Sequence, residues 1–502
     1  MAESTRFFVC QNTNYEIRYA IELKCERRPY MTDQEYNAKT EEQWKYIEEL
    51  KLLVSERAAI LGRPVVSSVV TFGCQMNARD SEKLRGILDT AGFVDTDDED
   101  EADLVIYNTC TVRDNADQHV YGRLGHLNAV RKKRPDMIIG LCGCMMQEDH
   151  VVAKIKKSYP FVKLIFGTHN LYAFPELLVR TLNEDKRVID IRQETKVFPE
   201  SLPVKRKHFF KSGVNIMYGC NNFCSYCIVP YVRGREISRT PEEILGEVRH
   251  LVADGCVEIM LLGQNVNSYG KTLKEKTTFA ELLREVCKID GLRRLRFMTS
   301  HPKDLSDELI EVMAENPIIC HHMHLPVQSG SDTILTKMNR HYDRAKYLDT
   351  VRKLREAIPD ISFTTDIIVG FPGETEEDFE ETLSLIREVG FDSAFTFIYS
   401  KRKGTPAAEM ENQVPEDVVK RRFQRLLDEV KVTAEERCAR FTGKVMDVLV
   451  EEENREPGLV TGRIEHNIVV HLPGDASMIG KLVPVRLKEC KGFYYFGEPV
   501  SF

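Results

Sequence analysis

The chain has 502 residues, which is more than one hydrophobic core supports and indicates about three domains. Hydrophobic residues make up 42% of the sequence and charged residues 29%, as in soluble globular proteins. No apolar run approaches the roughly 18 residues of a membrane span, and the amino terminus lacks a signal-peptide pattern. We therefore predict a cytoplasmic protein, not a membrane protein. The net charge of −8 excludes a general attraction for nucleic acid, so an RNA partner would need local basic surface.

The first predicted element is a helical leader, residues 1–63. Its clearest segment is YIEELKLLVSERAAIL (46–61), which places apolar residues three and four apart. That spacing predicts an amphipathic helix. The rest of the leader is polar, and nothing in it indicates chemistry.

Residues 64–185 are predicted to form a Rossmann-like α/β domain. Short β-rich runs alternate there with amphipathic stretches, which is the pattern of a parallel sheet covered by helices. The acidic segment DTDDEDEAD (95–103) is predicted to be a solvated loop. The predicted strands are VVSSVVTF (65–72), DLVIYN (103–108), MIIGL (137–141) and KLIFG (163–167).

Residues 206–438 repeat the alternation after a linker that contains proline and lysine. Six β/α units are too few for an eight-stranded barrel, so we predict an open, partial (β/α)6 barrel. From residue 440 to 502 the pattern changes to short strands with glycine and proline turns, which predicts a small β-barrel. The six strands predicted in the central domain are VNIMY (214–218), VEIMLL (257–262), LRFMT (295–299), MHLPV (323–327), FTTDIIV (363–369) and AFTFIY (394–399).

Cys220, Cys224 and Cys227 follow the first strand of the central domain, at the end where such barrels carry their active site. Cysteines in a reducing compartment more often hold metal than form disulfides, and this spacing is rare by chance. A closed zinc site is the alternative, but it needs a fourth ligand, and no cysteine or histidine follows at close spacing. Three thiolates on a four-iron cluster would leave one iron open to a small molecule.

The segment YGCNNFCSYCIVPYVRGREISR (218–239) resembles the signature of radical S-adenosylmethionine enzymes, which are built on a partial β/α barrel. The resemblance implies that the open iron binds the amino and carboxylate groups of S-adenosylmethionine. It also implies that one electron from the cluster cleaves the sulfonium to a 5′-deoxyadenosyl radical. Tyr226 is expected to lie against the adenine.

Further polar residues at predicted strand ends could bind this cosubstrate, or could be turn or barrel-layer residues. They are Gln264, Asn265, Thr299, Gln328 and Asp366. His321, His322 and His324 look like a metal cluster, but strand alternation would point His321 away from the other two. We therefore predict strand packing or cosubstrate contact for these histidines, not a third metal site. The sequence identifies no general base.

Cys74, Cys110 and Cys144 each come just after a predicted strand of the first domain. In an open parallel sheet, ligands collect at the carboxyl ends of the strands, so the three can converge there. Buried thiols are the alternative, because free cysteine packs as a small hydrophobe. Cys142 competes with Cys144, since residues two apart on a strand face the same way.

GCQMNARDSE (73–82), NTCTVRDNA (108–116) and GCMMQ (143–147) resemble the three motifs of the methylthiotransferase family, whose amino-terminal domain binds an auxiliary four-iron cluster. The Gly-Cys context matches Cys144. The resemblance implies two [4Fe-4S] clusters and two uses of S-adenosylmethionine. One molecule methylates a sulfur on the auxiliary cluster, and another yields the radical that removes a substrate hydrogen. The methylthio group then replaces that hydrogen.

The motif wording favours the family members that modify tRNA. It is most similar to those that insert a methylthio group at C2 of N6-dimethylallyladenosine beside the anticodon, and the similarity covers nearly everything from Val65 onward. Members that modify threonylcarbamoyladenosine in tRNA or a ribosomal-protein aspartate are alternatives, as is a non-enzymatic metal-containing RNA-binding protein. KRKGTPAA (401–408) lacks a proline expected before Gly404, and the leader has no identifiable counterpart.

The carboxyl-terminal barrel resembles the TRAM module, which binds RNA; a lid or packing role is the alternative. The implied partners are the anticodon stem-loop of a tRNA, with its target base splayed out, and an electron donor. We expect a monomer. Four basic segments could contact phosphate, although we predict that each is a solvated face. They are VKRKHFFK (204–211), VRGREISR (232–239), GLRRLRF (291–297) and KRRFQR (420–425).

Overall fold

The computed structural model describes residues 33–111, 114–184, 186–193 and 199–500. Residues 1–32 of the predicted leader lie outside these ranges, as do Val112 and Arg113 of the second cysteine motif. No helix in the described part of the chain is both long enough and apolar enough to cross a membrane. Three units follow one another along the described chain.

The amino-terminal unit is a parallel sheet with helices. Its strands are β1 (Val66–Thr71), β2 (Val94–Asp95), β3 (Leu104–Thr109), β4 (Ile138–Gly143), β5 (Leu164–Phe166) and β6 (Val188–Asp190). Its helices are α1 (Asp33–Leu61), α2 (Gln75–Thr90), α3 (Asp114–Lys133), α4 (Asp149–Ser158) and α5 (Phe174–Asn183). The strand order is β2-β1-β3-β4-β5-β6 with parallel neighbours throughout, which confirms the Rossmann-like sheet. Strands β2 and β6 escaped prediction because two or three residues carry no periodic signal.

The acidic segment 95–103 is solvated at five of its seven carboxylates, as predicted, but the other two are buried. Asp103 is buried and accepts hydrogen bonds from Arg63 at 2.7 and 2.8 Å and from Arg134 at 2.7 Å. Glu99 is also buried and pairs with Arg123. Arginines from other parts of the chain pair with these two buried carboxylates. The charge pattern of the segment alone could not show these partners.

Helix α1 belongs to the core of this unit. Ile47, Leu50 and Val54 are almost completely buried and share an apolar cluster with Leu177 and Leu178 of α5. Burial of a leucine or isoleucine side chain stabilises the fold by about 1.5–3 kcal/mol. The described part of the leader is therefore packed onto the sheet domain rather than separate from it.

The central unit is a partial barrel. Its strands are β7 (Lys211–Asn215), β8 (Met217–Tyr218), β9 (Ile237–Ser238), β10 (Glu258–Leu262), β11 (Arg294–Phe297), β12 (His322–His324), β13 (Ser362–Val369) and β14 (Ser393–Ile398). Apart from the short β8–β9 ribbon, they form two parallel sheets, β11-β10-β7 and β12-β13-β14, joined by a bridge between Leu295 and Ile319. This arrangement confirms the partial (β/α)6 barrel.

Most helices of the central unit cover the outside of this barrel, whereas the short first one packs against Cys144 of the amino-terminal unit. The helices are α6 (Val229–Val232), α7 (Pro241–Ala253), α8 (Phe279–Cys287), α9 (Asp307–Glu315), α10 (Asp332–Lys337), α11 (Arg344–Ala357), α12 (Glu376–Val389) and α13 (Glu416–Ala439). Thr240, Thr278 and Thr375 form capping boxes at the starts of α7, α8 and α12. Each cap is worth about 1 kcal/mol. The caps set the residues at which these helices begin and the preceding loops end.

The carboxyl-terminal unit is a closed barrel of five strands. They are β15 (Val445–Glu453), β16 (Leu459–Arg463), β17 (Val469–Pro473), β18 (Leu482–Cys490) and β19 (Tyr494–Pro499). The order β15-β16-β17-β19-β18 closes through antiparallel pairing of β15 with β18, which confirms the predicted small β-barrel. Val448, Val470 and Tyr495 are among its fully buried core residues.

Three of the four basic segments supply buried arginines, contrary to the prediction of solvated faces, whereas residues 204–211 supply none. Arg294 donates to the carbonyl oxygens of Arg463 at 2.9 Å and Asp447 at 2.6 Å, both in the carboxyl-terminal barrel. The guanidinium groups thus satisfy carbonyls and carboxylates of other elements, which a local charge pattern does not reveal. The buried arginines of the four segments are Arg233, Arg239, Arg294, Arg296 and Arg422.

Candidate functional site

Cys74, Cys110 and Cys144 lie together at the carboxyl edge of the amino-terminal sheet. Cys74 follows β1 and precedes α2, Cys110 follows β3, and Cys144 begins a 3-10 turn directly after β4. A side chain at Gly73 would come within 3.0 Å of Cys110 Sγ, so the Cys74 loop lies directly on Cys110. Because β1, β3 and β4 are neighbours in the sheet, cysteines far apart in sequence meet at one edge.

Asn77 and Arg233 contact the sulfurs of this group. Asn77 Oδ1 lies 3.5 Å from Cys74 Sγ and 3.9 Å from Cys144 Sγ. Arg233 comes from the central unit, and it donates to Cys144 Sγ at 3.3 Å and to Asn77 Oδ1 at 2.9 Å. It also pairs with buried Asp80 at 3.0 Å. A buried guanidinium in this position stabilises negative charge on the sulfurs.

Cys142 does not join this group. Its side chain lies in the apolar cluster that contains Leu104, Ile106 and Leu164. Cys142 and Cys144 would face the same way only if both lay on one regular strand. Strand β4 instead ends at Gly143, whose φ of +95° turns the chain before Cys144. The structure therefore places Cys144, and not Cys142, beside the other two cysteines.

Cys220, Cys224 and Cys227 lie in the loop that follows β8, at the carboxyl end of β7. Gly219 has a φ of +70°, and a side chain there would collide with the Arg235 carbonyl oxygen, so only glycine fits. The Cys227 amide donates to the Cys224 carbonyl at 2.9 Å, which closes a tight turn between these residues. The loop thus gathers the three cysteines at the predicted end of the barrel.

Arg340 donates a hydrogen bond to a sulfur of this group, as Arg233 does in the first group. It is buried, and it donates to Cys224 Sγ at 3.5 Å and to the Pro326 carbonyl oxygen at 2.7 Å. Tyr342 packs beside it and accepts from its Nε at 3.1 Å. Each cysteine group therefore has a buried arginine on one sulfur.

Thiols in both groups have raised pKa values. Burial, together with the neighbouring Cys224 thiol, raises the pKa of Cys220 to about 11 and the pKa of Cys227 to about 12. Burial likewise raises the pKa of Cys144 to about 12. Such thiols stay protonated at neutral pH unless a metal supplies positive charge, because metal binding displaces the protons. Two groups of three cysteines that contain such thiols fit two iron-sulfur clusters with one open iron each.

The predicted cosubstrate residues fall into three places. Tyr226 lies in the turn between Cys224 and Cys227 and packs against an apolar cluster around Met338 and Phe371. Gln264 and Asn265 follow β10, and the next amide along the chain donates to the Thr299 carbonyl oxygen at 3.2 Å, so these three adjoin. Gln328 and Asp366 form the third place, where the Gln328 amide donates to the Asp366 carbonyl oxygen at 2.8 Å.

Thr299 and Gln328 have left-handed backbone conformations, with φ of +69° and +72°. Non-glycine residues adopt this conformation infrequently, and such strain collects at functional sites. Two of the predicted residues therefore carry a second, independent indication of function.

Polar atoms near Gln264 are buried without hydrogen-bond partners. They are Gln264 Oε1, Asn265 Oδ1, Ser300 Oγ and His301 Nε2. An unsatisfied buried polar atom costs about 1–3 kcal/mol, so this cluster fits a polar ligand that supplies the missing partners. The cluster adjoins the cysteine loop, because Lys303 Nζ donates to Asn222 Oδ1 of that loop at 2.6 Å. The donors and acceptors present suit the amino and carboxylate groups of S-adenosylmethionine.

Sequence reasoning missed Arg233, Arg340 and His301. His301 could have been found, because the run FMTSHP that drew attention to Thr299 also contains it. Arg233 was visible only as one charge in a basic segment. Nothing in the sequence around Arg340 separates it from the many exposed arginines.

The inner face of β13 and β14 is open. Asp366 and Phe395 are paired in register, and Phe363 and Ile367 on the opposite face pack against the outer helices. Phe395 is nonetheless 48% exposed, because β14 is the edge of the partial barrel. A large exposed aromatic ring on an inner barrel face is suited to stacking on a planar ligand.

Three protein families match the chain in order. The Uncharacterized protein family UPF0004 matches residues 67–167, the Radical SAM superfamily matches residues 214–386, and the TRAM domain matches residues 439–500. The two cysteine groups fall within the first two matches.

Curated relatives share half or more of the aligned residues. The chain is 60% identical to the tRNA-2-methylthio-N(6)-dimethylallyladenosine synthase of Lachnoclostridium phytofermentans over 89% of the chain and 98% of that protein. It is 54% identical to the synthase of the same name from Acetivibrio thermocellus over 91% of the chain and 96% of that protein. The corresponding protein of Alkaliphilus oremlandii is 51% identical over 92% of the chain and 97% of its own length.

These matches correct one expectation about the leader. Residues 64–502 are less than nine-tenths of the chain, so a match over 92% extends into residues 1–63. Part of the leader therefore has a counterpart in a relative.

Among solved structures, the chain resembles the radical S-adenosylmethionine methyltransferase TsrM from Kitasatospora setae, described with cobalamin and a [4Fe-4S] cluster bound. The TM-score is 0.51 at 16% identity, over 79% of this chain and 80% of that one. At this identity the likeness shows the fold alone.

Proposed function

This chain belongs to the family of tRNA-2-methylthio-N6-dimethylallyladenosine synthases, radical S-adenosylmethionine enzymes with a TRAM domain, and from that premise we propose its function. It is a methylthiotransferase that inserts a methylthio group at C2 of N6-dimethylallyladenosine beside the anticodon of a tRNA. Its cofactors are [4Fe-4S] clusters, with S-adenosylmethionine as cosubstrate. The alternatives that act on a ribosomal-protein aspartate or on threonylcarbamoyladenosine are not favoured.

One observation carries the assignment of residues. Arg233, only a few residues beyond Cys227, reaches into the other domain and donates to Cys144 Sγ at 3.3 Å. The segment that follows one cysteine group therefore also contacts the other group. We assign Cys220, Cys224 and Cys227 to the radical S-adenosylmethionine cluster, and Cys74, Cys110 and Cys144 to the auxiliary cluster.

The protein residues bind and orient the reacting groups. When bound, the two clusters and S-adenosylmethionine supply the radical and the methylthio group that an unactivated C–H bond requires. Tyr226 covers the adenine of the cosubstrate, and Asn265 and His301 use their unpartnered atoms to hold its polar end. Gln264, Thr299, Gln328 and Asp366 complete the proposed lining. Burial of Cys220 and Cys144 excludes water from both clusters.

The target base enters through the open edge of the barrel. A base that reacts at C2 must leave its stack, and it then needs an aromatic or apolar surface to replace its neighbours. Phe395 is exposed on the inner face of β14, in register with Asp366. We therefore propose that Phe395 stacks on the dimethylallyladenine.

The proposed organisation follows the four segments of the chain. Residues 64–185 hold the auxiliary cluster, residues 206–438 form the radical S-adenosylmethionine core, and residues 440–502 bind RNA, while helix α1 of the leader, residues 1–63, supports the first domain. The enzyme is proposed to act as a monomer in the cytoplasm, where a reducing milieu preserves free thiols. An electron donor supplies the single electron for each radical.

The function is tested with anaerobically reconstituted protein, reductant, S-adenosylmethionine and an anticodon stem-loop that carries dimethylallyladenosine. We expect 2-methylthio product and 5′-deoxyadenosine by mass spectrometry. Replacing Cys220, Cys224 and Cys227 with Ala should abolish both. Replacing Cys74, Cys110 and Cys144 with Ala should abolish the product but leave 5′-deoxyadenosine formation. If the unaltered protein forms 5′-deoxyadenosine but no methylthio product, the proposed substrate is wrong.

The same assay tests the stacking residue. Phe395→Ala should raise the KM for the stem-loop, because base stacking on an aromatic ring is worth about 1–3 kcal/mol, while S-adenosylmethionine cleavage without RNA stays unchanged. Ile398→Ala is the matched control, since Ile398 is 45% exposed on the opposite face of the same strand. Equal effects of the two variants would reject a specific contact at Phe395.

A further inference from the structure

The seam between the central barrel and the carboxyl-terminal barrel contains a group of ionisable side chains that the methylthio reaction does not use. His321 precedes β12 and Asp360 precedes β13, so both lie at the amino ends of their strands. Glu465 and His466 lie in the turn between β16 and β17, which rests on this end of the central barrel. The cysteine loop lies at the opposite, carboxyl end, so the two sites are separate.

Asp360 orients both histidines of this group. Its Oδ1 lies 2.8 Å from His321 Nδ1, and its Oδ2 lies 3.2 Å from His466 Nε2. One carboxylate thus occupies one ring nitrogen of each histidine and leaves His321 Nε2 and His466 Nδ1 available. His466 is only 1% exposed, and its Nδ1 is buried without a hydrogen-bond partner. A buried orphan nitrogen of this kind indicates a missing ligand.

Glu465 completes a set of metal-binding groups. One ligand atom from each of His321, Glu465 and His466 lies within 4.8 Å of the other two. Two imidazoles and one carboxylate form a donor set that Zn²⁺ uses in proteins. Zinc-binding histidines characteristically donate their second ring N–H to a carboxylate. Asp360 is positioned to accept these hydrogen bonds from both rings.

We propose that His321, Glu465 and His466 bind a zinc ion. The ligand atoms are His321 Nε2, His466 Nδ1 and a carboxylate oxygen of Glu465, and Asp360 holds the two rings in position. The His321 side chain is 27% exposed, so the ion can enter from solvent and keep a water as its fourth ligand. The ion joins a strand end of the central unit to a turn of the RNA-binding barrel, and it fixes the orientation of that barrel.

The positive charges near the site are already balanced. Arg296 donates to the carbonyl oxygens of Glu465 at 2.7 Å and Ile464 at 3.0 Å, and it pairs with Glu258 at 3.0 Å. Arg294 holds the preceding strand end through the Arg463 carbonyl oxygen. These guanidinium groups pin the backbone of the turn. Within the described part of the chain, no ion pair occupies the Glu465 carboxylate, so it is available to a cation.

The test is the zinc K-edge absorption spectrum of anaerobically purified, cluster-containing protein supplied with one equivalent of Zn²⁺. Iron does not contribute at this edge, so the spectrum reports the zinc ligands alone. We expect nitrogen and oxygen neighbours at about 2.0–2.2 Å and no sulfur at about 2.3 Å. Sulfur neighbours would place the zinc on cysteines, and zinc lost on desalting would mean that no site exists. Either result overturns the proposal.

Variants identify the ligands. His321→Ala and Glu465→Gln, which alter partly exposed side chains, should each lose the zinc while iron content stays constant. Asp360→Asn should keep the same spectrum but weaken zinc binding by about 10–100-fold. His126→Ala is the control, because His126 pairs with Asp100 at 2.7 Å without a third ligand, and it should keep the zinc. Zinc with nitrogen and oxygen ligands in both ligand variants would overturn the assignment.

Discussion

Arg233 and Arg340 each donate a hydrogen bond to a cysteine sulfur, at 3.3 Å to Cys144 and 3.5 Å to Cys224. Positive charge and N–H donation at a sulfur ligand both favour the reduced form of an iron-sulfur cluster. Arg233 additionally crosses from one domain to the other and pairs with Asp80 there. This side chain therefore places positive charge beside the Cys144 group and adds to the contacts between the two cysteine-bearing domains, together with pairs such as Arg79 and Glu247.

We predict that Arg233→Gln lowers the reduction potential of the auxiliary cluster. Loss of about 1.4 kcal/mol of differential stabilisation shifts a one-electron potential by about 59 mV. The measurement is a redox titration followed by electron paramagnetic resonance. Arg235→Gln is the control, because Arg235 is exposed and lies over Phe223 rather than beside a cysteine. An unchanged potential in Arg233→Gln, with the cluster retained, would contradict this role.

At this scale the sequence predicted which cysteines come together but not what surrounds them. The C-x3-C-x2-C spacing and the cysteines after strands identify residues whose chemistry is rare. Arg233 and Arg340 are ordinary arginines by composition, and only the fold distinguishes them from exposed ones. His321 was rejected as part of a local histidine cluster, and its proposed partners lie far along the chain, in a turn of another domain.

At the scale of elements, helix α1 is mostly polar, yet it packs against the core of the amino-terminal unit. Ile47, Leu50 and Val54 form one narrow apolar stripe, and all three are buried against α5 and its neighbours. A helix with so thin a stripe gains most of its stability from tertiary packing rather than from helix propensity. Its order should therefore depend on these few contacts.

We predict that Leu50→Ala destabilises the amino-terminal unit by about 2–5 kcal/mol, because it leaves a cavity at a fully buried position. Hydrogen exchange should show lost protection in α1 and α5, with the central barrel unaffected. Leu52→Ala is the matched control, since Leu52 lies on the same helix and is 67% exposed; its effect should stay within about 0.5 kcal/mol. Equal effects of both variants would mean that α1 does not contribute a specific contact.

Periodicity predicted most of the longer strands, and it failed for two of the short ones. β1, β3, β13 and β14 lie within two residues of their predicted bounds. Strands β2 and β6 owe their existence to a neighbouring strand that offers free backbone groups, which no local pattern encodes. The two buried carboxylates of the acidic loop, Glu99 and Asp103, escaped prediction for a similar reason, because their arginine partners lie elsewhere in the chain.

At the scale of the molecule, several arginines of the basic segments are committed to contacts inside the protein. Arg294 and Arg296 fasten the carboxyl-terminal barrel to the central unit, and Arg239 pairs with Glu247 at 2.7 Å within the protein. The chain as a whole is acidic. RNA recognition through shape and stacking does not require a continuous basic surface.

The outer face of the carboxyl-terminal barrel provides a stacking surface. Tyr494 and Phe496 alternate with buried Tyr495, and both rings lie against His471, at 5.0 and 5.6 Å between centroids. We predict that Tyr494→Ala weakens stem-loop binding by about 1–3 kcal/mol, the value of one stacked base, measured by fluorescence anisotropy at fixed salt. Tyr494→Phe keeps the ring and should bind normally, and Val445→Ala, an exposed apolar position elsewhere on the barrel, should have no effect. Equal weakening by Tyr494→Phe and Tyr494→Ala would assign the contact to the hydroxyl group instead, and the stacking argument would fail.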